Sequence, residues 1–167
     1  VSQKNARILD YGCGDGKRVR FLNQKGFYAE GYDPSVSALL LAQKNNIPVF
    51  SEIPSRKYDP IMFWHSLEHS DQPFFDVQNC KKYLSFGEKL LIAVPNGDSF
   101  GARIAQDRWF GYDWPYHRVH FTPKALKILL EKNGFKVLSV DYFNPEYTIA
   151  FTAQTFLSIK EITRIPL

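Results

Sequence analysis

Three glycines alternate in Asp10-Tyr11-Gly12-Cys13-Gly14-Asp15-Gly16, between an apolar run of strand length and a stretch of helical periodicity. Glycine at such a junction lets the backbone take positive φ and lets a ligand lie against the main chain. The helix that follows offers N–H groups with no intrahelical partner. A strand, a glycine turn and a helix in this order point to a doubly wound α/β sheet and to a nucleotide-like ligand at the turn. The dinucleotide fingerprint G-x-G-x-x-G is not met: the spacing is G-x-G-x-G, and Lys17 stands where the third glycine would fall, which weighs against NAD. Asp33 ends the second expected strand, where a carboxylate can accept hydrogen bonds from ribose hydroxyls. The plainer alternative is a tight turn, with Asp33 only capping the next helix.

The rest of the chain alternates in the same way. Strands are expected over residues 6–11, 27–32, 48–51, 59–64, 89–94, 135–143 and roughly 147–153. Helices are expected over 17–25, from Ser35 to about Asn45, over 73–84 with Asp71 as cap, and from Thr122-Pro123 to Gly134. A weak helical tail is read over 154–162, with Phe156, Leu157, Ile159 and Ile162 apolar.

ILDYGCGDG, GYDPS, YDPIMFWHSLEHSDQP, KLLIAVPN and HRVHFTPKALKILLEKNGF, in that order, resemble the successive motifs of class I S-adenosylmethionine-dependent methyltransferases. The likeness is nearest to the group that includes the ubiquinone-biosynthesis O-methyltransferases. It covers residue 7 to about residue 135. It implies a Rossmann-like doubly wound, mostly parallel seven-stranded sheet with one antiparallel strand, forming a single domain over residues 1–167. It also implies S-adenosyl-L-methionine as cofactor. Asp10 would lie near the methionine end, and Gly12, Cys13 and Gly14 would pack their main chain against the ligand. Asp33 with Pro34 would hold the ribose, Glu52 and Ile53 would flank the adenine, and Trp64 and His65 would lie under the methionine portion. The Ser51-Glu52 pair departs from the acidic-then-small pair of many relatives.

His65-Ser66-Leu67-Glu68-His69 matches the H-x-x-E-H pattern of one zinc-protease class, but it follows a strand directly instead of lying within a helix. The ubiquinone-type enzymes carry an E-x-x-E-H version that binds a divalent cation. Here the first carboxylate is replaced by His65, and no metal ligand is assigned. Residues 96–121 form an insertion too long for a plain connection, with seven aromatics: Phe100, Trp109, Phe110, Tyr112, Trp114, Tyr116 and Phe121. A lid over the site and a satellite hydrophobic cluster are both consistent with that content. His117, in the context Pro115-Tyr116-His117 that the resemblance shares, is the expected general base.

Composition adds exclusions. The net charge of +4 is scattered, Lys17, Arg18 and Arg20 being the only tight basic group, so no nucleic-acid partner is expected. No apolar run reaches the length of a membrane span, and the chain shows no secretory leader pattern. Cys13 and Cys80 suit a reducing compartment, so a cytoplasmic location is expected. The chain starts at Val1, so terminal segments can be missing, and a homo-oligomer is one way the site could be covered. The expected function is methyl transfer by in-line displacement to a small-molecule, sugar or lipid-linked acceptor, at oxygen. The alternative is a non-catalytic interaction module built on the same fold.

Overall fold

The computed structural model describes residues 6–142 and, as backbone, 156–164. Strand β1 (Arg7–Tyr11) is buried from Ile8 onward, as expected of a central parallel strand covered on both faces. It pairs in parallel with β2 (Tyr28–Tyr32) on one side and with β4 (Ile61–Trp64) on the other. β3 (Val49–Phe50) adds to β2, and β5 (Leu90–Pro95) adds to β4. The five parallel strands therefore run β3-β2-β1-β4-β5. The chain winds outward from β1 to β3 and restarts at β4 on the other side. The carboxyl ends of β1 and β4 thus flank the switch point where such sheets bind ligands.

At the β5 edge, Phe156–Arg164 (β7) pairs antiparallel with β5, and Phe135–Asp141 (β6) pairs antiparallel with β7. The expected helical tail over 154–162 is corrected here, because residues 156–162 are strand. The apolar positions of so short a stretch fit either period, and pairing with β5 satisfies main-chain groups that an open edge would leave bare. The strand expected at 147–153 lies outside the described residues.

Successive residues of β1 and β4 face opposite layers, as the pleat requires. Ile8 and Met62 pack with Val19 of α1 (Lys17–Gln24) and Ala42 of α2 (Val36–Lys44). Leu9 and Phe63 pack with Val77 of α3 (Pro73–Cys80) and with Leu126 and Leu130 of α5 (Pro123–Lys132). Helix α5 starts as expected: the Thr122 hydroxyl accepts from the Ala125 N–H at 3.1 Å, and Pro123 is first in the helix. Two expectations for α3 are corrected. It ends at Cys80, and Leu84 instead bridges Tyr58 beside the sheet. Its N-cap position is Gln72, whose N–H donates to the Ser70 hydroxyl at 2.9 Å, while Asp71 pairs with Arg118 at 3.2 Å. Among the described residues no helix is long and apolar enough to cross a membrane.

Candidate active site

The glycine turn folds over the end of β2. The Gly12 and Cys13 N–H groups both donate to the Tyr32 carbonyl, at 2.7 and 3.1 Å. Gly12 has φ +76°, and a Cβ there would stand 2.6 Å from Cβ of Ser66, so no side chain fits. Gly14 (φ +55°) has open space where a side chain would begin. Its N–H donates at 2.8 Å to Asp33 Oδ2, and Asp33 Oδ1 accepts from the Ser35 N–H at 2.9 Å. Asp33 thus fastens the turn and starts the second helix. Each of its oxygens keeps a lone pair for a further donor.

These groups form part of a cleft of about 530 Å3 between the ends of β1, β2 and β4. Five of the expected site residues line it: Gly12, Gly14, Asp33, Pro34 and His65. His65 ends β4 with φ +52°, a conformation rare for a non-glycine residue, while its N–H donates to the Ala93 carbonyl at 2.9 Å. The others stand off the wall. Cys13 and Trp64 pack with the α1 and α2 layer, and the Arg18 guanidinium lies 4.2 Å over the Trp64 ring. Ile53 packs against the opposite core layer, and Glu52 is exposed and not on the cleft wall.

Asp10 is buried behind the turn, 2% exposed, and its Oδ1 has no hydrogen-bond partner among the described residues. Burial pushes its carboxyl up to about 7; the nearby Arg18 charge opposes that shift, and the Asp33 charge adds to it. A buried carboxyl with an orphaned oxygen next to a cleft is a candidate functional position.

Residues that sequence reasoning missed complete the wall, among them Tyr11, Tyr32, Ser66, Asp71 and Asp76. The Tyr11 hydroxyl donates to Asp76 Oδ1 at 2.8 Å, and the Ser70 hydroxyl donates to Asp76 Oδ2. Burial and the Asp76 carboxylate raise the Tyr11 hydroxyl well above its usual range, so it stays a donor. Asp76 lies in a helix whose apolar face announces the core, and nothing in its spacing shows that it meets Tyr11. A second depression of about 570 Å3 runs along α3 and shares Ser70, Asp71 and Asp76 with the cleft.

No residue of 96–121 lines the cleft. The segment is pinned at its base by the Gly97 N–H on the Phe121 carbonyl at 2.8 Å, and it carries the short helix α4 (Phe100–Ala105). Trp109 and Phe121 are buried, whereas Phe100, Trp114 and Tyr116 are exposed. The segment reaches the site through the turn at Leu67–His69, where the Glu68 carbonyl accepts from the Arg118 and Val119 N–H groups at 2.8 and 3.1 Å. His117 is therefore held off the wall, with its ring centroid 4.8 Å from that of His69, which lines the cleft.

A switch-point cleft with a glycine turn on one strand and a carboxylate on the next defines a nucleotide-type ligand site in a doubly wound α/β protein. The model of the methyltransferase-domain family Methyltransf_23 matches residues 1–140, and the chain belongs to that family. No curated protein matches it in sequence. Among solved structures it is similar to a SAM-dependent methyltransferase from Archaeoglobus fulgidus, with 21% identity over 94% of this chain and 86% of the other and a TM-score of 0.73. It is also similar to a SAM-dependent methyltransferase from Methanosarcina mazei, with 19% identity over 98% and 95% and a TM-score of 0.74. A third is magnesium protoporphyrin IX methyltransferase from Synechocystis PCC 6803 with bound S-adenosylhomocysteine, with 18% identity over 96% and 75% and a TM-score of 0.70. At such identities these structures speak for the fold.

Proposed function

We propose that this S-adenosylmethionine-dependent methyltransferase acts at oxygen on a small-molecule, sugar or lipid-linked acceptor. The observation that carries this reading is the Asp33 carboxylate, tied to the Gly14 N–H and lining the same cleft as Gly12 and Pro34. The residues present fit the cofactor. Gly14 leaves room for a ligand against the main chain, Asp33 keeps acceptor capacity for two ribose hydroxyls, and the unpartnered Asp10 Oδ1 suits a cationic end. When bound, the cofactor supplies a methyl group already activated on a sulfonium centre, so the protein's task is alignment and exclusion of water.

In this reading Gly12, Gly14, Asp33 and Pro34 hold the nucleoside, and Asp10 and His65 stand at the methionine end. The Tyr11–Asp76–Ser70 hydrogen bonds keep the opposite wall rigid. Residues 96–121 act as the cover from the rim of the cleft, and His117, beside His69, serves the activation of the acceptor, either as the base itself or by holding an ion that lowers the acceptor's pKa. Among the described residues the sheet is read as seven-stranded with β7 antiparallel, which the β5–β7 and β6–β7 pairings support. The free thiols of Cys13 and Cys80 support a cytoplasmic setting.

Calorimetric titration of S-adenosylhomocysteine into the protein and into Asp33→Asn tests the reading. Loss of hydrogen bonds to a charged acceptor is worth about 1.5–3 kcal/mol, so affinity should fall roughly 10- to 100-fold in the variant. Equal affinity in both proteins would remove Asp33 from the ribose site.

A further inference from the structure

We propose that Glu68, His69 and His117 form a binding site for one divalent transition-metal ion of the zinc class at the rim of the cleft. One donor atom from each of the three lies within 4.8 Å of the other two. This donor set shares Glu68 and His69 with the H-x-x-E-H segment, but it leaves residue 65 out and takes its third donor, His117, from a separate stretch of chain.

Three features make it a built site. Glu68 is 1% exposed, yet neither carboxylate oxygen has a hydrogen-bond partner among the described residues. His65 Nδ1 lies 3.4 Å from Oε1, a charge partner only when that imidazole is protonated. A buried carboxylate left without donors costs stability unless a cation balances it. Both imidazoles are already oriented as metal ligands usually are. His69 Nδ1 meets the Tyr116 carbonyl at 3.0 Å, and His117 Nδ1 meets the Gly111 carbonyl at 2.7 Å. A carbonyl can only accept, so each Nδ1 carries the proton and each Nε2 keeps its lone pair. The fold also clamps the two stretches together, since the Glu68 carbonyl accepts from both the Arg118 and Val119 N–H groups.

Two histidines and one carboxylate are a donor set suited to zinc, with the fourth position open to water or to an oxygen ligand. Metal–ligand bonds of about 2.1 Å at tetrahedral angles hold two ligand atoms about 3.4 Å apart. Binding therefore draws the side chains together by at most about 1.4 Å, which the exposed His69 can supply. Asp113 adds negative charge on the same side, with Oδ2 4.0 Å from His117 Nε2. Because His69 also lines the cleft, the open position is available to an acceptor oxygen, whose proton the ion makes easier to remove. That last step rests on the methyl-transfer reading; the ion site itself does not.

The test is metal analysis of the purified full chain, with Zn2+ and Co2+ titrations followed by calorimetry and by the visible absorption of bound Co2+. The expected result is one ion per chain. Glu68→Gln and His117→Gln should lower affinity on the order of 100-fold or more, and His120→Gln should leave it unchanged. In case these variants fold poorly, His117→Cys keeps a donor at the same place. It should retain Co2+ and add a thiolate-to-metal absorption band. No stoichiometric binding, or binding untouched by changes at all three residues, would overturn the site. S-adenosylhomocysteine affinity is measured on the same samples: its loss would count against the cofactor reading, and metal loss with that affinity intact would count only against the ion site.

Discussion

Asp10 shows how a single residue can be costly to the fold and useful to the site. Its carboxyl is pushed up to about 7 by burial and lacks a partner on Oδ1. A group with a raised folded-state pKa contributes full stability below its unfolded value, 3.8, and that contribution is lost as pH rises through about 7. Asp10→Asn removes the ionisation and keeps the shape. Its stability relative to the native chain is expected to grow between about pH 5 and pH 8 by on the order of 2 kcal/mol, or about 4–8 °C in Tm. The same change should weaken binding of a cationic cofactor. Thermal melts at the two pH values check the first effect, and a variant with no added stability at pH 8 would contradict it. At this scale the turn was legible because close approach and positive φ restrict position 12 to glycine, and positive φ favours glycine at position 14. Glu52, Ile53 and Trp64 were not, because strand ends carry no sign of whether a side chain turns to the cleft or to the core.

At the scale of elements, local chemistry fixed the ends that carry their own punctuation. Thr122, Pro123 and Gly134 frame α5, and that helix packs Leu126 and Leu130 on the sheet away from the cleft. Thr122→Ala is therefore expected to cost about 1 kcal/mol, roughly 2–4 °C in Tm, with S-adenosylhomocysteine affinity unchanged. A fall in affinity comparable with that of Asp33→Asn would show that α5 reaches the site. Elements decided by tertiary partners were harder to read. Residues 156–164 form a strand because β5 offers an edge, and Asp71 turns to Arg118 instead of capping α3. The meeting of Glu68 with His117 depends on main-chain bonds between two distant segments, which no local spacing encodes.

For the whole molecule, the reversal of strand order at β1 places every ligand-facing group at one end of the sheet. That arrangement was legible because apolar runs and helical stretches alternate, and the glycine turn marks where the reversal lies. The acceptor is less legible, because residues 96–121, proposed above as the cover, are not constrained by the parallel sheet. The cofactor and acceptor assignments above rest on this crevice holding an adenosyl cofactor. Parallel calorimetric titrations of the intact chain with S-adenosylhomocysteine and with NADH test it most directly. Micromolar binding of S-adenosylhomocysteine with none of NADH is the expected result, and binding of NADH alone, or of neither ligand, would contradict it.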